Sequence, residues 1–145
     1  MATAVDTKLL TSLSTVYMFS QMSDKHLRHV AGLGKVVQHQ AGHMIVAQGD
    51  PALSFHLLLD GTAEVLVNDA VRRTLGPGDY FGEVAVIDRQ RRSASVRATS
   101  PTRTWALSGG ALKVLLDDEP SVAHALILGL CSRLRELEGL PLQRS

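Results

Sequence analysis

Gly78-Asp79-Tyr80-Phe81-Gly82-Glu83-Val84-Ala85-Val86-Ile87-Asp88-Arg89-Gln90-Arg91-Arg92-Ser93-Ala94-Ser95-Val96 is the stretch on which the reading of this 145-residue chain turns. It opens with a Gly/Asp turn and an aromatic pair. A Gly-Glu step then leads into one short apolar segment, Val84 to Ile87, long enough for a single helical turn. Three arginines follow within four positions, and a run with strand-like alternation starts at Arg92-Ser93-Ala94.

Each residue type here has a chemical use. Gly82 has no Cβ, so a ligand can approach its main chain closely. The first N–H groups of a helical turn have no internal partner and, with the helix dipole, attract an anion. Arg92 offers a planar fork of donors that fits a phosphate. Ser93 adds a hydroxyl and Ala94 a main-chain N–H. An ionised Glu83 only accepts hydrogen bonds, so it suits a sugar hydroxyl rather than a phosphate. Together these residues point to a nucleotide whose phosphate and one sugar hydroxyl are read at once. Arg89 and Arg91 read as solvated; the alternative for Glu83 is a surface carboxylate or an ion-pair partner of one of these arginines, and without ligand a pair with Arg92 is open to it.

The stretch resembles the phosphate-binding cassette of cyclic nucleotide-binding domains. That family includes the catabolite activator protein, the regulatory subunits of cyclic-AMP-dependent protein kinase, and cyclic-nucleotide-gated channels. The resemblance rests on Phe81-Gly82-Glu83, the apolar turn after it, and Arg92-Ser93-Ala94-Ser95-Val96. Two upstream glycine-marked turns add to it, Gly42-His43-Met44-Ile45-Val46-Ala47-Gln48-Gly49-Asp50 and Leu59-Asp60-Gly61-Thr62-Ala63-Glu64-Val65.

The resemblance implies a non-enzymatic sensor with Phe81, Gly82, Glu83, Val84, Ala85, Arg92, Ser93 and Ala94 around the ligand. The cyclic phosphate would sit on Arg92, the Ser93 hydroxyl and N–H groups near Ala85 and Ala94. Glu83 and the Gly82 main chain would take the ribose 2′-hydroxyl. Capture would reposition the C-terminal helix, where Leu130, Arg133, Leu134 and Leu137 are candidates to cap the base. That helix has no aromatic residue for the role. Ser93 favours cyclic AMP, although a hydroxyl there also serves guanine's amino group, which makes cyclic GMP the alternative ligand. No cofactor is expected.

Composition sets the outer limits. The length suits one domain, and 45% hydrophobic with 20% charged residues is an ordinary globular mixture. A net charge of +1 calls for neither nucleic acid nor a membrane surface. One cysteine, Cys131, excludes an internal disulfide and fits a cytoplasmic protein. Residues Met1 to Lys8 lack the features of a signal peptide, and no apolar run is long enough to span a bilayer.

Along the chain, residues from about Asp6 to Leu33 read as helical, with Ser23 as an N-cap and Gly32 and Gly34 as terminators. From Lys35 the period changes. Short apolar runs alternate with turns, including Asp60-Gly61 as a hairpin signal and Asn68-Asp69. About eight such strands indicate a sandwich or barrel, and the resemblance implies a jelly-roll-type β-roll in an α+β fold. Pro120 suits the first turn of a last helix running to about Glu138. Its stripe Val122, Leu126, Leu130, Leu134, Leu137 lies beside a second one, Ala123, Ile127, Cys131. Either one stripe covers the pocket and the other meets a second protomer as a homodimer, or the helix is sunk in its own core. Cys131 reads as a small buried hydrophobe.

The expected layout is a single cyclic nucleotide-binding domain over 1–145. It comprises a helical segment at 1–34, the β-roll at 35–108 with the cassette at 81–96, and helices at 109–140. Nothing after Leu140 reads as a DNA-binding domain, so the effector is expected to be another protein or a domain outside this sequence. Two other readings compete. One is a ligand-free β-roll that serves as an interaction module. The other is a cupin-like metal-binding enzyme, which would need His-x-His, a carboxylate and a later histidine. His26 and His29, His39 and His43, His56 and His124 contain no His-x-His pair.

Overall fold

A computed structural model describes residues 7–139. The expected limits at residues 1 and 140 lie outside them. Helices α1 (Thr7–Ser14) and α2 (Asp24–Leu33) flank a 3-10 turn at Tyr17–Phe19. Eight strands follow: β1 (Lys35–His39), β2 (Met44–Val46), β3 (Ser54–Asp60), β4 (Ala63–Val67), β5 (Ala70–Leu75), β6 (Tyr80–Phe81), β7 (Ser95–Ala98) and β8 (Thr102–Ser108). Helix α3 (Glu83–Asp88) lies between β6 and β7, and α4 (Gly109–Asp118) and α5 (Pro120–Leu137) end the fold.

The strands form two four-stranded sheets, ordered β1-β8-β3-β6 and β2-β7-β4-β5. This is the expected β-roll. The cassette carries the chain from one sheet, at β6, to the other, at β7. Its ends are held by both sheets, because Tyr80 pairs with Leu57 of β3 and Val96 with Val65 of β4.

Alternation along β3 explains the two cores. Phe55 and Leu57 join Trp105, Leu107 and the helices' Leu13, Phe19, Val30, Leu112 and Leu126 in a core between helices and roll. Leu58, Ala63, Leu75, Phe81 and Val96 fill the inside of the roll. Trp105 is fully buried, as its predicted strand implies, and its indole N–H donates to the Ala31 carbonyl at 3.2 Å.

Several boundaries move. Ser23 caps α2 by accepting from the His26 N–H at 3.3 Å, but the helix runs through Gly32 to Gly34. Asp60-Gly61 is not a hairpin, since β3 and β4 belong to different sheets. The turn carries the chain from one sheet to the other, with Gly61 at φ 90°. Asn68-Asp69 is the hairpin, with φ of 51° and 65° at its two central residues joining β4 to β5.

The last helix is not sunk in the core. Val122, Ala125 and Leu126 are buried, whereas Ile127, Leu128, Leu134 and Leu137 are exposed. Cys131 is exposed too, against expectation, because the stripe it shares with Ile127 faces away from the roll. No helix among the described residues is long and apolar enough to cross a membrane.

Candidate functional site

Gly82 sets the geometry of the cassette. It caps α3 at φ 93°, in the left-handed region. A Cβ there would stand 2.6 Å from Arg92 Nη1 and 2.9 Å from the Ser54 carbonyl oxygen. Backbone conformation and close approach therefore both require glycine.

Arg92 is 6% exposed. Its backbone is clamped by Arg92 N–H to Asp50 O and Gly49 N–H to Arg92 O, each 2.9 Å. Its guanidinium donates from Nη2 to Ser54 O at 2.6 Å and from Nη1 to Gly82 O at 3.2 Å. Among the described residues no carboxylate forms an ion pair with it. Burial depresses its pKa, and the nearby Glu83 charge opposes that shift. A buried guanidinium held only by neutral carbonyls favours an anion at its remaining donors.

Glu83 lies across the same space and is 1% exposed. Its Oε1 accepts from Arg133 Nη1 of α5 at 2.9 Å. Its Oε2 is buried with no hydrogen-bond partner. Of the ion pairs open to Glu83 without ligand, the one with Arg92 does not form; Glu83 pairs with Arg133 instead. Arg92 is occupied by main-chain carbonyls, while α5 brings a cation over the carboxylate.

These groups line a cavity of about 70 Å³. All eight residues expected around the ligand border it: Phe81, Gly82, Glu83, Val84, Ala85, Arg92, Ser93 and Ala94. Arg133 closes one side, whereas Leu130, Leu134 and Leu137 are not among the lining residues. Leu134 is 55% and Leu137 80% exposed, facing away. A larger open depression of about 850 Å³ lies behind α3, between residues 51–53 and α4, and shares only Ala85 with the cavity.

Val46, Val65, Arg73 and Val96 also border the cavity and were not read from sequence. Arg73 had a signal. It shares a face of β5 with the buried Leu75 and pairs with Val65, and its exposed side chain borders the cavity. Burial lowers its pKa first, then repulsion from Arg133, while Glu83, Asp79 and Glu136 raise it. The cavity thus sets one buried carboxylate, Glu83, among three arginines, Arg73, Arg92 and Arg133.

Below the cavity, His56 stacks on Phe81 with ring centroids 5.0 Å apart. His56 Nε2 bonds Ser54 Oγ at 2.8 Å, on the residue whose carbonyl holds Arg92. The Thr104 hydroxyl lies between His56 Nδ1, at 3.4 Å, and His39 Nε2, at 3.1 Å. Burial first, then the Arg92 and His39 charges, push the His56 pKa down to about 4, so the imidazole is neutral at pH 7. His39 and His43 stack at 5.4 Å, and no group of three metal-ligating side chains occurs among the described residues.

A family model described as the cyclic nucleotide-binding domain matches residues 36–119. The chain belongs to the cyclic nucleotide-binding domain family. A cAMP-dependent protein kinase regulatory subunit from Schizosaccharomyces pombe is 39% identical over 87 residues, 59% of this chain and 21% of its own length. A cGMP-dependent protein kinase from Plasmodium berghei is 28% identical over 113 residues, 77% of this chain and 13% of its own length. Among solved structures, Thermus thermophilus catabolite activator protein superposes with a TM-score of 0.77 at 28% identity, covering 83% of this chain and 59% of that one. This cyclic nucleotide-binding domain therefore spans a small part of the kinase chains it matches. Its fold is that of the family.

Proposed function

We propose that this domain senses a 3′,5′-cyclic nucleotide and passes the event to an effector through α5. The observation that carries this reading is the buried Glu83 Oε2, unpartnered in the cavity that Arg92 also lines. A buried acceptor without a donor is costly, and a ribose 2′-hydroxyl supplies the missing proton. The cyclic phosphate then meets Arg92, the Ser93 hydroxyl and main-chain N–H groups near Ala85 and Ala94.

Arg133 supplies the coupling. A cavity of about 70 Å³ is far smaller than the few hundred cubic ångströms typical of ligand pockets. A nucleotide must displace Arg133 and compete for Glu83, so binding favours a different position of α5. The effector that reads this movement is a further domain or a separate protein.

The base end favours guanine over the cyclic AMP expected from Ser93. Arg73 presents donors only, and guanine offers paired acceptors at O6 and N7. Adenine places an amino donor beside N7. The exposed side of α5 fits a second copy of this chain. Ala123, Ile127, Leu130, Leu134 and Leu137 follow 4-3-4-3 spacing, the pattern of a two-helix seam. Light scattering of wild type and Leu134→Glu tests the dimer: loss of a wild-type dimer in the variant is expected, and a wild-type monomer rejects it.

Titration of nucleotide-free protein with cyclic GMP, cyclic AMP and their 2′-deoxy analogues tests the sensor reading. Saturable binding, weakened by removal of the 2′-hydroxyl, is expected. No binding by folded protein would leave the β-roll as an interaction module.

A further inference from the structure

Gly129 lies in the middle of α5, where glycine is less favourable than alanine. Its neighbour across the interface explains its presence. A Cβ built at Gly129 would stand 2.5 Å from Tyr80 Oη, while the next ring atom, Cζ, is at 3.8 Å. The Tyr80 ring is held from behind by Phe55, with centroids 5.7 Å apart, and its strand β6 is bonded to β3. The phenol tip therefore seats in a notch of the helix, and it has little freedom to retreat.

The notch aligns with the ion pair over the cavity. Gly129 and Arg133 are one turn apart on one helix face, and Tyr80 and Glu83 are three residues apart at the start of the cassette. Val122, Ala125 and Leu126 bury the N-terminal half of the same face, and past Arg133 the helix stands clear with Leu134 and Leu137 exposed. Seat and ion pair are thus the final contacts of the docked helix. Glu83 also acts on Tyr80, whose pKa is raised by burial and by that carboxylate.

We propose that Gly129 and Tyr80 are positioning residues: their notch sets how closely α5 approaches the cassette and so brings Arg133 onto Glu83 across the nucleotide entrance. This rests on the sensor reading for its consequence, because the seated helix leaves no room for a nucleotide. Lifting the seat frees the entrance.

The test uses Gly129→Ala, Tyr80→Phe and the double variant. Only Tyr80 Oη meets the added methyl closely, so Tyr80→Phe relieves the clash that Gly129→Ala creates. Hydrogen exchange over residues 126–137 in nucleotide-free protein reads helix docking, and stopped-flow mixing with cyclic GMP reads entry. Gly129→Ala is expected to speed both at least threefold, and the double variant to return both towards wild type. Wild-type exchange in Gly129→Ala, or no rescue by Tyr80→Phe, overturns the proposal. If no variant binds nucleotide, the sensor reading fails, and the exchange data alone still decide whether the notch seats the helix.

Discussion

Glu83 is bonded to Arg133, 50 residues downstream on α5, and not to Arg92 in its own cassette. One oxygen of a fully buried carboxylate is thereby joined to the helix that borders the cavity. The other oxygen remains without a partner. A single side chain thus faces both the ligand space and the mobile element of the proposed mechanism.

Removing Arg133 strands that carboxylate. Breaking one partner of a buried pair costs about 3–5 kcal/mol, and the Arg133 side chain is 30% exposed. Arg133→Ala is therefore expected to lose somewhat less, about 2 kcal/mol. Urea denaturation without nucleotide measures it, and an unchanged midpoint would mean that the pair contributes nothing to docking.

Acid should weaken the fold through His56. The imidazole stays neutral in the folded chain down to about pH 4, whereas the unfolded chain takes up its proton near 6.5. Between these values the unfolded state binds more protons, so stability rises with pH. The contribution is fully present above pH 6.5 and is lost as pH falls towards 4. The difference amounts to about 3 kcal/mol. Urea midpoints of wild type and His56→Gln at pH 7.5, 5.5 and 4.5 should converge as pH falls. Parallel curves would show that His56 does not titrate in this window.

Arg73 should decide the base. Loss of a bidentate contact to guanine costs about 1–3 kcal/mol. Arg73→Ala is expected to lower cyclic GMP affinity about tenfold and leave cyclic AMP within about twofold. Equal losses for both nucleotides would make Arg73 a general electrostatic contributor instead.

The sequence made the cassette and the β-roll legible because both depend on local chemistry. Gly82 must be glycine whatever surrounds it, and strands separated by glycine turns declare themselves. Asp60-Gly61 misled because a crossing between sheets also turns on a glycine at positive φ, as many hairpins do. Cys131 misled because an apolar residue on a helix does not say which way the helix faces. The Glu83–Arg133 bond was hidden for a different reason: it joins distant residues that only the docking of α5 brings together. Arg73 carried a local signal, a charge two residues from the buried Leu75 on a strand, but only the pairing with Val65 brings it to the cavity.

The most direct measurement is calorimetric titration of cyclic GMP and cyclic AMP into nucleotide-free wild type and Arg92→Ala. A charged hydrogen bond left half-made costs about 2–5 kcal/mol. The account predicts saturable binding by wild type and an affinity at least about 30-fold weaker in the variant. A folded Arg92→Ala protein that binds within about threefold of wild type would contradict it, because Arg92 could not then hold the phosphate.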